Sequence, residues 1–136
     1  MNARDNELLS QMLEYCLKIE RRVDEFSIDE EAFVGNSAYA DMLLMPVFQI
    51  GELAHGLSDE FCDEHDVIPW QAIRAFRNII AHDYGVVEPL WAWNTVQVDI
   101  PVLKEFLQSN LRALWHVAAR TDGEITRGRA WALWGC

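Results

Sequence analysis

The chain has little cysteine. Three stand at positions 16, 62 and 136, an odd number at wide spacing with no CxxC, which excludes a disulfide framework and a zinc knuckle. That usage leads us to expect a reducing, cytoplasmic setting. Long hydrophobic runs are also missing. The longest, such as Met42 to Gly51, reach about half of the roughly 20 residues that a membrane span needs. The start, Met1-Asn2-Ala3-Arg4-Asp5, is charged rather than apolar, so no signal peptide is expected and the chain reads as soluble, with no membrane partner. Positive charge is scarce in the first half. Residues 1–66 hold 4 basic and 16 acidic side chains, whereas residues 67–136 hold 7 and 6. An acidic half repels phosphate backbones and argues against general nucleic-acid binding. Any RNA contact must be local and in the second half. The acidic surface suits a basic protein partner equally well.

What is present is core material. Apolar residues make up 51% of the 136 positions, and six of them are Trp. A chain of this length folds as one domain without a metal or disulfide staple. The surplus of Trp leaves apolar surface for a partner.

Residues 1–118 contain no repeat, low-complexity tract or linker, and no strand-like alternation. The apolar period is helical. Leu8, Leu9, Met12, Leu13, Cys16 and Leu17 follow i, i+3, i+4 spacing, which predicts a helix over about 5–25. Ser27-Ile28-Asp29-Glu30 has the pattern of a capping box before a short helix. Asn36-Ser37 opens a helix over about 38–57, with a kink or break expected at Pro46. Ser58 caps a short acidic turn to about 64. Pro69 starts a helix that runs to about Tyr84, with Gly85 as its stop. Residues 88–97 form a short helix or turn, and Asp99 caps a last helix to about Ala119, with Pro101 in its first turn. The fold class is therefore all-α: an up-and-down antiparallel bundle of four to five helices over residues 1–120. The tail 121–136 reads as a loose end or a docking peptide.

The chemistry concentrates in Arg77-Asn78-Ile79-Ile80-Ala81-His82-Asp83-Tyr84. Arg and His five apart is a weak pattern alone. Nine Arg and four His among 136 positions give roughly 0.26 such pairs by chance. At 100° per residue, Arg74, Asn78 and His82 form one stripe, and Arg77 lies beside Asn78. His82 falls in the last turn, where the helix dipole favours a cation. Arg beside a titratable His makes a phosphodiester site: Arg holds phosphate and His moves a proton near neutral pH. Ordinary charges at an exposed helix end are the plainer alternative.

Other constellations are thinner. Glu52-Leu53-Ala54-His55 is an ExxH, but a di-iron bundle needs two. His55, His82-Asp83 and Asp99 mimic the order of a metal phosphohydrolase without its context. His65 reads as a surface residue, His116 as core or interface, and Trp91 and Trp93 as core rather than a nucleotide platform.

The chain resembles the HepT-like HEPN proteins, toxins of bacterial and archaeal toxin–antitoxin pairs, over nearly its whole length. The resemblance rests on Phe33 with Ala38 and Ala40, on Gln49-Ile50-Gly51-Glu52-Leu53-Ala54, and on Leu57-Ser58. It continues through Ile68-Pro69-Trp70, Arg77-Asn78, Ala81-His82 with Tyr84, Val86-Val87, Trp91, and Asp99-Ile100-Pro101 with Leu103. Gly51-Glu52-Leu53 departs from the family's Gly-Glu-Ala, and residues after about 118 find no counterpart. The resemblance implies a helical homodimer with the Arg–His motifs of two subunits facing one cleft, acting as a metal-independent endoribonuclease with no cofactor. It implies Arg77, His82 and Asn78 as catalytic residues, with Asp83, Glu52 and Arg74 in support. It implies a minimal nucleotidyltransferase antitoxin as partner, which in some pairs adds AMP to the motif tyrosine, here Tyr84. A non-catalytic bundle that only docks a nucleotidyltransferase is the alternative.

Overall fold

The computed structural model describes residues 2–122, with side chains through Leu111. Those residues form seven α-helices and no strand. Four are long: α1 (Ala3–Glu25), α3 (Ser37–His55), α5 (Trp70–Asp83) and α7 (Ile100–Asp122). Three are single turns or little more: α2 (Glu30–Gly35), α4 (Asp59–Glu64) and α6 (Pro89–Asn94). The all-α bundle expected from the apolar period is what the chain adopts. Residues 123–136, most of the expected tail and including Cys136, lie outside the described residues, as does the side chain of His116.

The long helices stack in the order α5, α3, α1, α7, with α2 and α6 packed together at one end. Two contacts fix α1 and α3 as antiparallel. Gly56, past the end of α3, sits against Leu8 near the start of α1, while Arg22 in the last turn of α1 reaches Met42 early in α3. Leu9, Met12, Leu13, Cys16 and Ile19 of α1 meet Leu43, Val47, Ile50 and Ala54 of α3 in one core. Burial pushes the Cys16 thiol up to about 12, so it is packed as an apolar, inert side chain.

Pro46 does not break α3, which runs through it without interruption. A proline withholds the N–H that would have bonded the carbonyl four residues back. That carbonyl belongs to Met42, and Arg22 Nη1 donates to it at 2.6 Å. The orphan acceptor is thus satisfied by a neighbouring helix, and of the kink or break expected here the break does not occur.

Several caps differ from the expected ones. Asp29, not Ser27, caps α2, accepting from Ala32 N at 2.8 Å; Ser27 instead takes a left-handed φ of 50° at the turn. Pro69 precedes the first residue of α5 and offers it no side-chain cap. Gly85 is no left-handed stop. After Asp83 the chain tightens into a 3₁₀ turn, Tyr84–Val86. Asp99 caps nothing: α6 passes through a π turn, Thr95–Asp99, directly into α7. The wider turn lets Ile100 N donate to Thr95 O just before Pro101, which has no N–H to offer. Trp93 is core as expected, tilted against Phe33 at 5.3 Å, but Trp91 is half-exposed and stacks on Phe76 at 4.7 Å.

Among the described residues one charged side chain is buried. Asp5 is 1% exposed, and its carboxylate accepts from Ser58 N at 2.9 Å and Ser58 Oγ at 2.7 Å. Ser58 Oγ in turn accepts from Phe61 N at 3.2 Å, capping α4. The first turn of α1 is thereby stitched to the start of α4 across 53 residues of sequence. Asp5→Ala strands the Ser58 amide and should cost about 2 kcal/mol. Urea unfolding should show a lower midpoint for Asp5→Ala and none for the exposed Glu7→Ala; equal midpoints would refute the stitch.

Candidate functional site

The site is assembled where α5 crosses α3. Gly51 is buried, and a Cβ there would collide with the Arg77 side chain and lie 3.2 Å from the Ile73 carbonyl oxygen. Only a missing side chain lets the two backbones approach this closely. Three residues of α3 then face α5 along one stripe: Asp41, Phe48 and Glu52. Phe48 and Glu52 lie seven and eleven residues after Asp41, spacings that return within about 20° of its direction at 100° per residue.

Arg77 is 25% exposed and held from three sides. Its Nε pairs with Glu52 Oε1, its Nη1 donates to Asn78 Oδ1 at 3.0 Å, and its guanidinium lies 5.4 Å from the centre of the Phe48 ring. An ion pair, an amide and an aromatic face fix the plane of the guanidinium while one edge stays accessible. His82, in the last turn of α5, is exposed, and its ring makes no hydrogen bond among the described residues. Asp83 is exposed beside it. Arg77 and His82 do not bond to each other. Five residues apart on a helix, they point about 140° away from one another.

Arg74 is placed differently. Its Nε and Nη2 donate to Ala54 O at 3.0 and 2.9 Å, and Nη2 approaches Cys62 Sγ at 3.4 Å. Its guanidinium therefore grips one carbonyl near the end of α3 rather than joining Arg77. His55, Gln71, Arg74 and Asn78 line a shallow polar groove of about 390 Å³ on this side. Among the described residues no group of three or more His, Cys, Asp or Glu, His55 and Glu52 included, is set to hold a metal ion.

Tyr84 opens the 3₁₀ turn after α5 and is 42% exposed. Its hydroxyl does not project freely. Oη donates to Asp41 Oδ1 of α3, across 43 residues of sequence. Partial burial, then the hydrogen bond and the charge of Asp41, push the phenol well above its ordinary pKa of 10. Asp41 is the residue that sequence reasoning missed. The signal was faint: its eleven-residue spacing from Glu52, three helical turns, puts it on the Glu52 face.

The comparisons with known proteins show the family. The family model described as Ribonuclease HepT-like matches residues 12–109, which include every motif residue from Asp41 to Tyr84. The chain belongs to the HepT-like ribonuclease family. A protein of Caldanaerobacter subterraneus subsp. tengcongensis, named "Putative RNase", is 30% identical over 104 residues, covering 74% of this chain and 91% of that protein. A Methanocaldococcus jannaschii protein, named "Gamma-glutamylcyclotransferase and putative RNase", is 30% identical over 95 residues, 68% of this chain and 43% of that protein. No solved structure matches the chain significantly. No helix among the described residues of this HepT-like chain is long and apolar enough to cross a membrane.

The raised phenol has a measurable sign. A folded pKa above the unfolded value means that folding favours the protonated phenol. That stabilisation is complete below pH 10 and is lost as pH rises through and beyond it. Absorbance at 295 nm in a pH titration should show one of the three tyrosines ionising later than the others. Tyr84→Phe should remove that late step. A late step that survives Tyr84→Phe would contradict the Asp41–Tyr84 geometry.

Proposed function

We propose that this chain is the toxin of a toxin–antitoxin pair, a homodimeric endoribonuclease that cuts RNA without a metal ion. The carrying observation is the contrast at the end of α5. Arg77 is held by Glu52, Asn78 and Phe48, while His82 is exposed and unbonded. A fixed guanidinium suits a phosphate, and a free imidazole suits proton transfer. His82 takes the proton from a ribose 2′-hydroxyl. The 2′-oxygen attacks phosphorus, the bond to the 5′-oxygen breaks, and the leaving oxygen takes up a proton. The product carries a 2′,3′-cyclic phosphate. Arg77 neutralises charge building on the phosphate, and Asn78 steadies the guanidinium.

Because Arg77 and His82 diverge on one helix, a second copy supplies the complementary half of the cleft. Exposed Leu90, Trp91, Val98 and Val102 offer apolar surface for an isologous contact. The names of the relatives support RNA as substrate. A minimal nucleotidyltransferase fits as antitoxin, transferring AMP to Tyr84 and placing a negative phosphate near the site, where it competes with RNA. The cytoplasm is the setting for such a pair.

The net charge of −11 favours the second reading, a non-catalytic module that docks a nucleotidyltransferase. One experiment separates them. The purified chain should cleave single-stranded RNA in EDTA, and Arg77→Ala and His82→Ala should each lower the rate by about 100-fold. Both side chains reach the surface, so circular dichroism should not change. Cleavage that persists in His82→Ala, or that EDTA abolishes, sinks the mechanism. Light scattering should give twice the 15.7 kDa chain mass; a monomer at working concentration would remove the shared cleft.

A further inference from the structure

The acceptor reading of Tyr84 leaves a chemical question open. A phenol at neutral pH is protonated and is a weak nucleophile until a base takes its proton as the new bond forms. The base must sit within hydrogen-bond reach of the oxygen. A side chain of this chain already does: Asp41 Oδ1 accepts the Tyr84 hydroxyl proton.

We infer that Asp41 is the positioning residue and proton acceptor for Tyr84, making it the nucleophile toward an activated AMP donor of the nucleoside triphosphate class. The inference rests on the reading of Tyr84 as the AMP acceptor. Three observations carry it. The carboxylate and the hydroxyl come from separate elements, α3 and the turn after α5, so tertiary structure rather than local sequence joins them. Both residues are exposed, so a donor can reach the pair from solvent. The turn Tyr84–Val86 is short, and Val87 N closes it on Tyr84 O at 3.2 Å, which holds the phenol at one place on the surface. Burial and Asp41 are also the influences that act on the phenol's titration, with no cation countering them.

The step balances. Tyr84 Oη forms a bond to the α-phosphorus, the bond from that phosphorus to the bridging oxygen breaks, and pyrophosphate leaves. The phenol proton passes to Asp41, which returns it to solvent. An aspartate that accepts a substrate hydroxyl proton during phosphoryl transfer is an established arrangement in kinases. In the product Oη has no proton to donate, and the new phosphate diester faces the Asp41 carboxylate. Like charges then push the modified turn away from α3.

The test uses adenosine 5′-phosphorimidazolide, a small AMP donor that needs no partner protein and releases imidazole. Peptide mapping by mass spectrometry reads AMP at each of Tyr15, Tyr39 and Tyr84. The full chain should be modified at Tyr84 at least about tenfold faster than at Tyr39 near neutral pH. Asp41→Asn, which keeps the shape but cannot take the proton, should bring Tyr84 down to the Tyr39 rate. Asp41→Glu should restore part of it. The Asp41→Asn deficit should shrink as pH rises toward 10 and the phenolate appears unaided, a profile that a merely structural role would not produce. Equal Tyr84 rates in the wild type and Asp41→Asn overturn the inference, as does a wild-type Tyr84 no faster than Tyr39. The underlying reading is judged apart, by AMP transfer from ATP with a nucleotidyltransferase and its loss in Tyr84→Phe.

Discussion

The close approach of α3 and α5 at Gly51 is the constraint on which the site depends. Because no Cβ stands at that position, Arg77 lies against the α3 backbone and its guanidinium reaches both Glu52 and the Phe48 ring. The same antiparallel crossing carries the end of α5 back along α3, so that Tyr84 meets Asp41 ten residues before Gly51. One stripe of α3 thus presents an acid at each end and an aromatic ring between them to the motif on α5. The ion pair at Arg77 is partly exposed and adds little to stability. Its consequence is geometric: it holds a flexible side chain in one plane.

Around this crossing, helix breakers are absorbed by neighbours. Pro46 leaves the Met42 carbonyl unpaired, and Arg22 of α1 fills it. Pro101 lacks an N–H, and a π turn widens the chain just ahead of it. The Ala54 carbonyl at the end of α3, which already accepts from Leu57 N, also takes Arg74. Two arginines are therefore committed to backbone carbonyls, each across 20 residues of sequence, and neither is available to a phosphate. This explains how a chain can carry an Arg four residues before Asn78 without gaining a second cation at the site. The uneven charge of the sequence falls into place with it. The acidic first half supplies Asp41 and Glu52 to the crossing, and the less acidic second half supplies Arg77 and His82.

The sequence by itself determined the helical class, the positions of the long helices and the core-facing residues of α1. Those follow from a local period of apolar side chains, which any segment expresses without its neighbours. It also marked Arg77, Asn78, His82 and Tyr84, because they share one stretch of eight residues. Tertiary structure decided the rest, since each remaining fact joins residues far apart. Arg74 and Arg77 look alike as cations three positions apart, yet one meets the Ala54 carbonyl and the other Glu52. Pro46 reads locally as a kink or break because its rescue comes from α1. The acceptor of the Tyr84 hydroxyl lies 43 residues earlier, outside any local pattern. A hydrogen bond has a reach of about 3 Å, and no local pattern says which distant group will stand at that distance once the helices pack.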